Sequence, residues 1–186
     1  MKARRTSLNR VVAAFLAVFF AITPVFADEA ALDDLFSRLA EAREDEAGRN
    51  TESIWIEWSK SGSAAMDLLL QRGQRAMAEG NLDAAIEHFS ALIDHAPEFA
   101  EGYNARATAY YRTGDLGPSI ADIAQTLDLN PRHFGALSGL GMIFEDIGRP
   151  EKALEAYRAA QAVNPHLAEV NASIERLVAD LAGQDL

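Results

Sequence analysis

No cysteine occurs anywhere in the 186 residues. Disulfides, thiolate nucleophiles and cysteine-ligated metals are therefore excluded at the outset. Basic residues are scarce: 17 Lys and Arg stand against 28 Asp and Glu, a net charge of −11. A chain of that sign has no polybasic footprint for nucleic acid or for an anionic bilayer. Histidine is sparse too. His88, His95, His133 and His166 show none of the four-residue spacing that sets two ligands on one helical face. The last two stand beside prolines, where exposed polar side chains are expected. There is no glycine-rich phosphate loop and no nucleophile elbow, Ser138-Gly139 reading as mid-helix. The acids, Glu41, Glu44, Asp45 and Glu46 among them, read as solvated helical faces. Composition thus points to a non-enzyme, with no cofactor and no metal.

Long apolar runs are missing with one exception. Lys2, Arg4, Arg5 and Arg10 precede the uncharged stretch Val11 to Ile22, and Thr23-Pro24-Val25-Phe26-Ala27 follows it. A basic start, a short apolar run and small residues before Asp28 form the pattern of a secretory signal peptide cleaved after Ala27. The competing reading is a membrane anchor, but about 18 or more apolar residues are needed for a span, and Pro24 ends this run. The expectation is an exported, periplasmic protein whose mature chain does not insert in the membrane. Residues 1–27 carry four of the 17 basic residues and no acid, so the mature chain keeps 13 against 28, or −15.

What the sequence does have is punctuation. Pro97, Pro131 and Pro165 stand 34 residues apart, and Gly80, Gly114 and Gly148 keep the same interval, each 17 residues before its proline. Two sets of breakers sharing one period mean a supersecondary unit stacked on copies of itself. Between the breakers, Leu69, Gly73 and Ala76 have helical spacing, as do Ala85, Ile86, Phe89, Leu92 and Ile93 after Gly80-Asn81. Tyr103, Ala107 and Tyr110 precede Ile120, Ile123 and Leu127 in the next unit. Leu137, Gly141 and Phe144 precede Leu154, Tyr157 and Ala160 in the last. Pro118 and Pro150 fall at first turns, where a missing N–H costs little. Upstream, Leu32, Leu35, Phe36 and Leu39 predict a helix to about Ala47, ended at Gly48-Arg49-Asn50. A second helix over Thr51 to Ser59, carrying Ile54, Trp55 and Trp58, should stop at Ser61-Gly62-Ser63.

The string Ala84-Ala85-Ile86-Glu87-His88-Phe89 through Pro97, and the string Tyr103-Asn104-Ala105-Arg106-Ala107 through Gly114-Asp115, resemble the tetratricopeptide repeat. The resemblance covers about 100 residues. It implies an all-α, right-handed α-solenoid of helix–turn–helix repeats with an N-terminal helical hairpin and a C-terminal capping helix. The expected division is 1–27 signal peptide, 28–63 hairpin or degenerate repeat, 64–97, 98–131 and 132–165 full repeats, and 166–186 cap. Both readings of 28–63 stay open. Subtracting one period from Leu69, Arg72 and Phe89 gives Leu35, Arg38 and Trp55, which favours a repeat, and a plain capping hairpin would show similar residues. Leu92, Thr126 and Ser119 stand where the family usually has alanine and should loosen packing locally. The terminal stripe Val170, Ile174, Leu177, Val178 and Leu181 suits a cover for the last apolar face, or else a detachable partner-binding helix.

Arg38, Arg72 and Arg106 share a column expected to face the helix pairs, with Asp122 as the partner of Arg106. The resemblance places ligands on the concave face. Carried across, its columns are Asp67, Leu70, Gln74 and Met77; then Glu101, Asn104, Thr108, Tyr111 and Arg112; then Gly135, Ser138, Met142, Glu145 and Asp146. The lysine, asparagine and arginine set that some members use to clamp a C-terminal carboxylate is absent, with only Asn104 and Arg112 able to serve. Acids at the rim favour a basic or neutral segment. The expected function is a non-catalytic scaffold binding a peptide or protein partner, in envelope assembly. The alternatives are a structural homo-oligomer packed through Trp55, Trp58 or the terminal helix, and an accessory subunit of an envelope enzyme.

Overall fold

A computed structural model describes residues 29–184. Signal-peptide cleavage after Ala27 lies outside them. Among the described residues there are nine helices and no strand. They are α1 (Glu29–Glu41), α2 (Glu44–Trp58), α3 (Ala64–Ala78), α4 (Leu82–His95), α5 (Ala100–Thr113), α6 (Leu116–Leu129), α7 (Phe134–Asp146), α8 (Pro150–Val163) and α9 (Ala168–Gln184).

The punctuation acts as its chemistry demands. Gly114 ends α5 in the left-handed region at φ 85°, and Gly62, Gly80 and Gly148 also have positive φ. After the turns at Gly80, Gly114 and Gly148 the chain reverses and the next helix packs antiparallel, pairing α3 with α4, α5 with α6 and α7 with α8. Successive pairs stack through α4–α5, α6–α7 and α8–α9. First helices also touch directly, α3 with α5 and α5 with α7. That closeness marks the inner, concave side of the array, from which the second helices fan outward.

Each pair buries one apolar column set. In the first, Leu70, Ala76, Ala85, Phe89 and Leu92 join Phe99, Ala105 and Ala109 of the next unit. The departures from alanine are fully packed rather than loose. Leu92 lies inside that cluster, Ser119 Oγ donates to the Ala107 carbonyl at 2.8 Å, and Thr126 Oγ1 donates to the Asp122 carbonyl at 2.8 Å. A buried hydroxyl is tolerated when a backbone carbonyl accepts its proton.

The N-terminal hairpin differs from expectation in two respects. Its break falls at Ala42-Arg43, and α2 runs straight through Gly48-Arg49-Asn50. Gly48 costs a helix roughly 1 kcal/mol relative to alanine, which is outweighed because the longer helix buries Ala47, Ile54 and Trp58 together. The hairpin also does not bury its apolar face on α3. Leu32, Leu39, Ala47, Ile54 and Trp58 close over Phe134, with Val163 and Leu167 at the edge. It thereby lies across the turns that precede α7 and α9.

Specific bonds fix it there. Arg132 Nη1 pairs with Asp33 at 2.7 Å, and its guanidinium sits 4.4 Å over the Phe36 ring. His166 Nε2 lies 3.1 Å from the Leu39 carbonyl, and Asn164 Nδ2 donates to Thr51 Oγ1. His133 is 0 % exposed, against the expectation of an exposed histidine. Its ring stacks on Trp58 at 4.3 Å. Because the Ala136 N–H donates to Nδ1, the proton sits on Nε2 and is donated to Glu101 at 3.1 Å. Trp55 and Trp58 are thus used within the chain, packed edge-on and tilted against Phe134.

Gly135 belongs to this seat as well. A Cβ there would come within 3.0 Å of the Trp55 indole. Gly135→Ala should therefore displace Trp55, costing about 1–3 kcal/mol as overpacking. The check is a change in tryptophan emission accompanied by a lower melting temperature. Unchanged emission would show that the hairpin does not rest on α7 in solution.

Candidate functional site

The concave face is built by α3, α5 and α7, and α9 completes it. Continuing the 34-residue period past Pro165 aligns Arg176 with Met142, Thr108 and Gln74, and Glu169 with Gly135 and Glu101. The helix read from sequence as a cover therefore also supplies groove side chains. Glu169 and Arg176 were missed because the column reading stopped at the last proline, and the α8 residue Tyr157 because its spacing places it in the core.

The anticipated groove residues divide into four groups. Leu70 is buried in the first core cluster and cannot meet a ligand. Glu101 and Gly135 lie beneath the hairpin, one paired with His133 and the other seating Trp55. Asp67 accepts from Ser61 Oγ at 2.6 Å and from its backbone N–H at 2.9 Å, tying the α2–α3 linker to α3. The rest stay on the groove. Gln74 and Thr108 are exposed, and Met77 is half-buried. Asn104 Nδ2 donates to Glu101 at 3.2 Å, and Arg112 Nη1 donates to the Met77 carbonyl at 2.9 Å. The two residues expected to serve a terminal carboxylate are each engaged at one nitrogen, Asn104 by an acid and exposed Arg112 by the neighbouring repeat.

The structure brings Tyr111, Ser138 and Met142 together around a cavity of about 360 Å³ between α5, α7 and α9. Met142 is 45 % exposed, unusual for so apolar a side chain. Tyr111 Oη donates to Asp146 Oδ2 at 2.8 Å, across one repeat. That hydrogen bond to a carboxylate, helped by partial burial, holds the Tyr111 phenol above its ordinary range. Tyr157 is pushed up further, by burial first and then by its 2.9 Å bond to Glu145 Oε1. Arg176 Nη2 meets Glu145 Oε2 at 2.6 Å, which raises the guanidinium's pKa. Glu169 completes the wall. Three carboxylates line the cavity and no Lys, Arg or His does. Its chemistry is that of a surface that accepts protons and attracts cations.

A larger cavity, about 450 Å³, lies between the hairpin and the turns preceding α5 and α7, with Trp58, Phe99, Leu129 and His133 among its walls. Among the described residues no group of His, Cys, Asp or Glu could hold a metal ion. No described helix is long and apolar enough to cross a membrane.

Stacked helix–turn–helix units with an inner groove define a repeat scaffold of the α-solenoid class. The chain belongs to the tetratricopeptide repeat family, which it matches over residues 70–120 and 119–168. It is 35 % identical to a TPR repeat-containing protein of Rhizobium etli over 82 % of its own length and 75 % of that protein's. It is 30 % identical to small glutamine-rich tetratricopeptide repeat-containing protein 2 of Saccharomyces cerevisiae over 66 % of its own length, spanning only 35 % of that relative. Among solved structures, the first TPR of Spaghetti (RPAP3) bound to the HSP90 peptide SRMEEVD shares its fold. The TM-score is 0.60 at 22 % identity, over 63 % of this chain and 93 % of that one.

Proposed function

We propose that this chain is an exported, non-catalytic scaffold that binds a peptide or protein segment along its concave groove, in the assembly of the cell envelope. One observation carries the reading. The inner face keeps an open cavity in which an exposed methionine and a tyrosine converge from different repeats. Methionine adapts its shape to a partner, and tyrosine offers large contact area at little entropic cost. The RPAP3 domain of the same fold is bound to an HSP90 peptide, which supports a groove that takes extended segments. The basic, apolar sequence pattern of residues 1–27 supports export.

The test is site-specific photocrosslinking in the native cell envelope. A crosslinkable residue at exposed Thr108, on the groove, should capture discrete partners, and one at exposed Ala124 of α6 should not. The crosslinked scaffold chain itself should begin at Asp28. Equal capture from both positions would overturn the groove, and an intact Met1 would overturn cleavage.

A further inference from the structure

We infer that the end of the groove between α7 and α9 receives a lysine or arginine side chain of the bound segment, with a neighbouring apolar residue of that segment lying on Met142. This rests on the groove reading above and names the chemistry of what the groove holds.

Charge is left unspent along the wall of a shaped cavity. Glu145 is engaged at both oxygens, by Tyr157 Oη and by Arg176. Asp146 accepts from Tyr111 at Oδ2 alone. Its other oxygen takes no hydrogen bond from the described residues, and Glu169 on the first turn of α9 takes none either. Two exposed carboxylates thus line one cavity with acceptor positions open, and the cation bonded to its wall, Arg176, is taken by Glu145. Bringing like charges together is unfavourable unless an opposite charge joins them. Arg176 on Glu145 shows a guanidinium already seated on this wall.

The walls also set what accompanies the cation. Val170 is buried beside the cavity, and Met142 stands exposed at its mouth. The stem of a lysine or arginine can lie on apolar surface while its head reaches the acids. An acidic segment is refused by the same charges.

The experiment pans the full mature protein against a random seven-residue peptide library, then measures the enriched peptides by fluorescence anisotropy. Peptides with Lys or Arg at a fixed place beside an apolar residue are expected. Replacing that cation by Gln in the peptide should weaken binding at least about tenfold, the loss of a charge-assisted hydrogen bond. Asp146→Asn/Glu169→Gln should do the same to the unmodified peptide, and raised salt should weaken it further. The Gln peptide is read on the unaltered protein, so a misfolded variant does not blur the result. Enriched peptides without a required cation would overturn this inference and leave the groove standing. So would binding of the cationic peptide that neither the Gln replacement, the variant nor salt weakens. If no peptide is enriched, the groove reading falls and this inference with it.

Discussion

Phe89→Ala is expected to remove about 3–5 kcal/mol of folding stability, the cost of deleting a fully buried ring and leaving a cavity. Phe89 has no exposed surface and sits at the centre of the first core cluster. Its ring occupies the space where α3 has no side chain, because a Cβ on Gly73 would lie within 3.0 Å of three ring atoms. The converse substitution, Gly73→Ala, should therefore cost about 1–3 kcal/mol by overpacking. Gly73→Ala combined with Phe89→Leu should cost less than the two separately, since leucine lacks the ring atoms that clash. Urea unfolding of the four proteins decides it. Strictly additive losses would show that the glycine and the ring do not share one space.

The same column positions recur one and two periods later with a different division of volume. Ala107 faces Ile123 in the second unit, and Gly141 faces Tyr157 in the third, where a Cβ would again strike the ring. A small residue opposite a ring and a larger one opposite an aliphatic chain fill comparable space. Dense interiors require that complementarity. Units coupled to their neighbours transmit such a loss along the array, so one unit's packing bears on the stability of all three.

The repeats were legible because their signals are local. A glycine in a left-handed turn and a proline 17 residues later fix a unit whatever surrounds it. The hairpin was less legible because its determinants are remote. Nothing near Gly48 reveals that Trp58 will stack on His133, 75 positions onward, and that packing is what draws α2 through the glycine. His133 looked exposed beside Pro131 for the same reason. The groove was legible on α5 and α7, where the columns hold register. On α9 the breakers stop, and the period had to be carried past them to find Glu169 and Arg176. In the hairpin's seat, the residues that misled were those whose partners are distant in sequence.

The arginine column shows the limit of reading by position alone, and it yields the second large effect. Arg38 is exposed and pairs with Asp34 within α1, and Arg72 is exposed. Only Arg106 meets the expectation of facing its helix pair. The reason lies sixteen residues downstream: Asp122 answers Arg106, while His88 stands in that place for Arg72. Arg106 Nε and Nη2 grip the two oxygens of Asp122 at 2.7 and 2.8 Å, and Nη1 donates to Ser90 at 3.0 Å. The side chains are only 20 % and 9 % exposed. The hydrogen bond to Asp122 raises the guanidinium's pKa, ahead of the opposing effect of burial. Asp122→Ala should therefore cost about 2–4 kcal/mol, slightly below a fully buried pair broken on one side, because part of the guanidinium can still reach water. Arg106→Met should cost less, since its stem and the tyrosines Tyr103 and Tyr110 can keep their packing. The double variant leaves no stranded charge, and its loss should fall short of the sum by about 1–3 kcal/mol. Stability losses that simply add would mean that α5 and α6 are held by their apolar column alone and that the pair contributes nothing of its own.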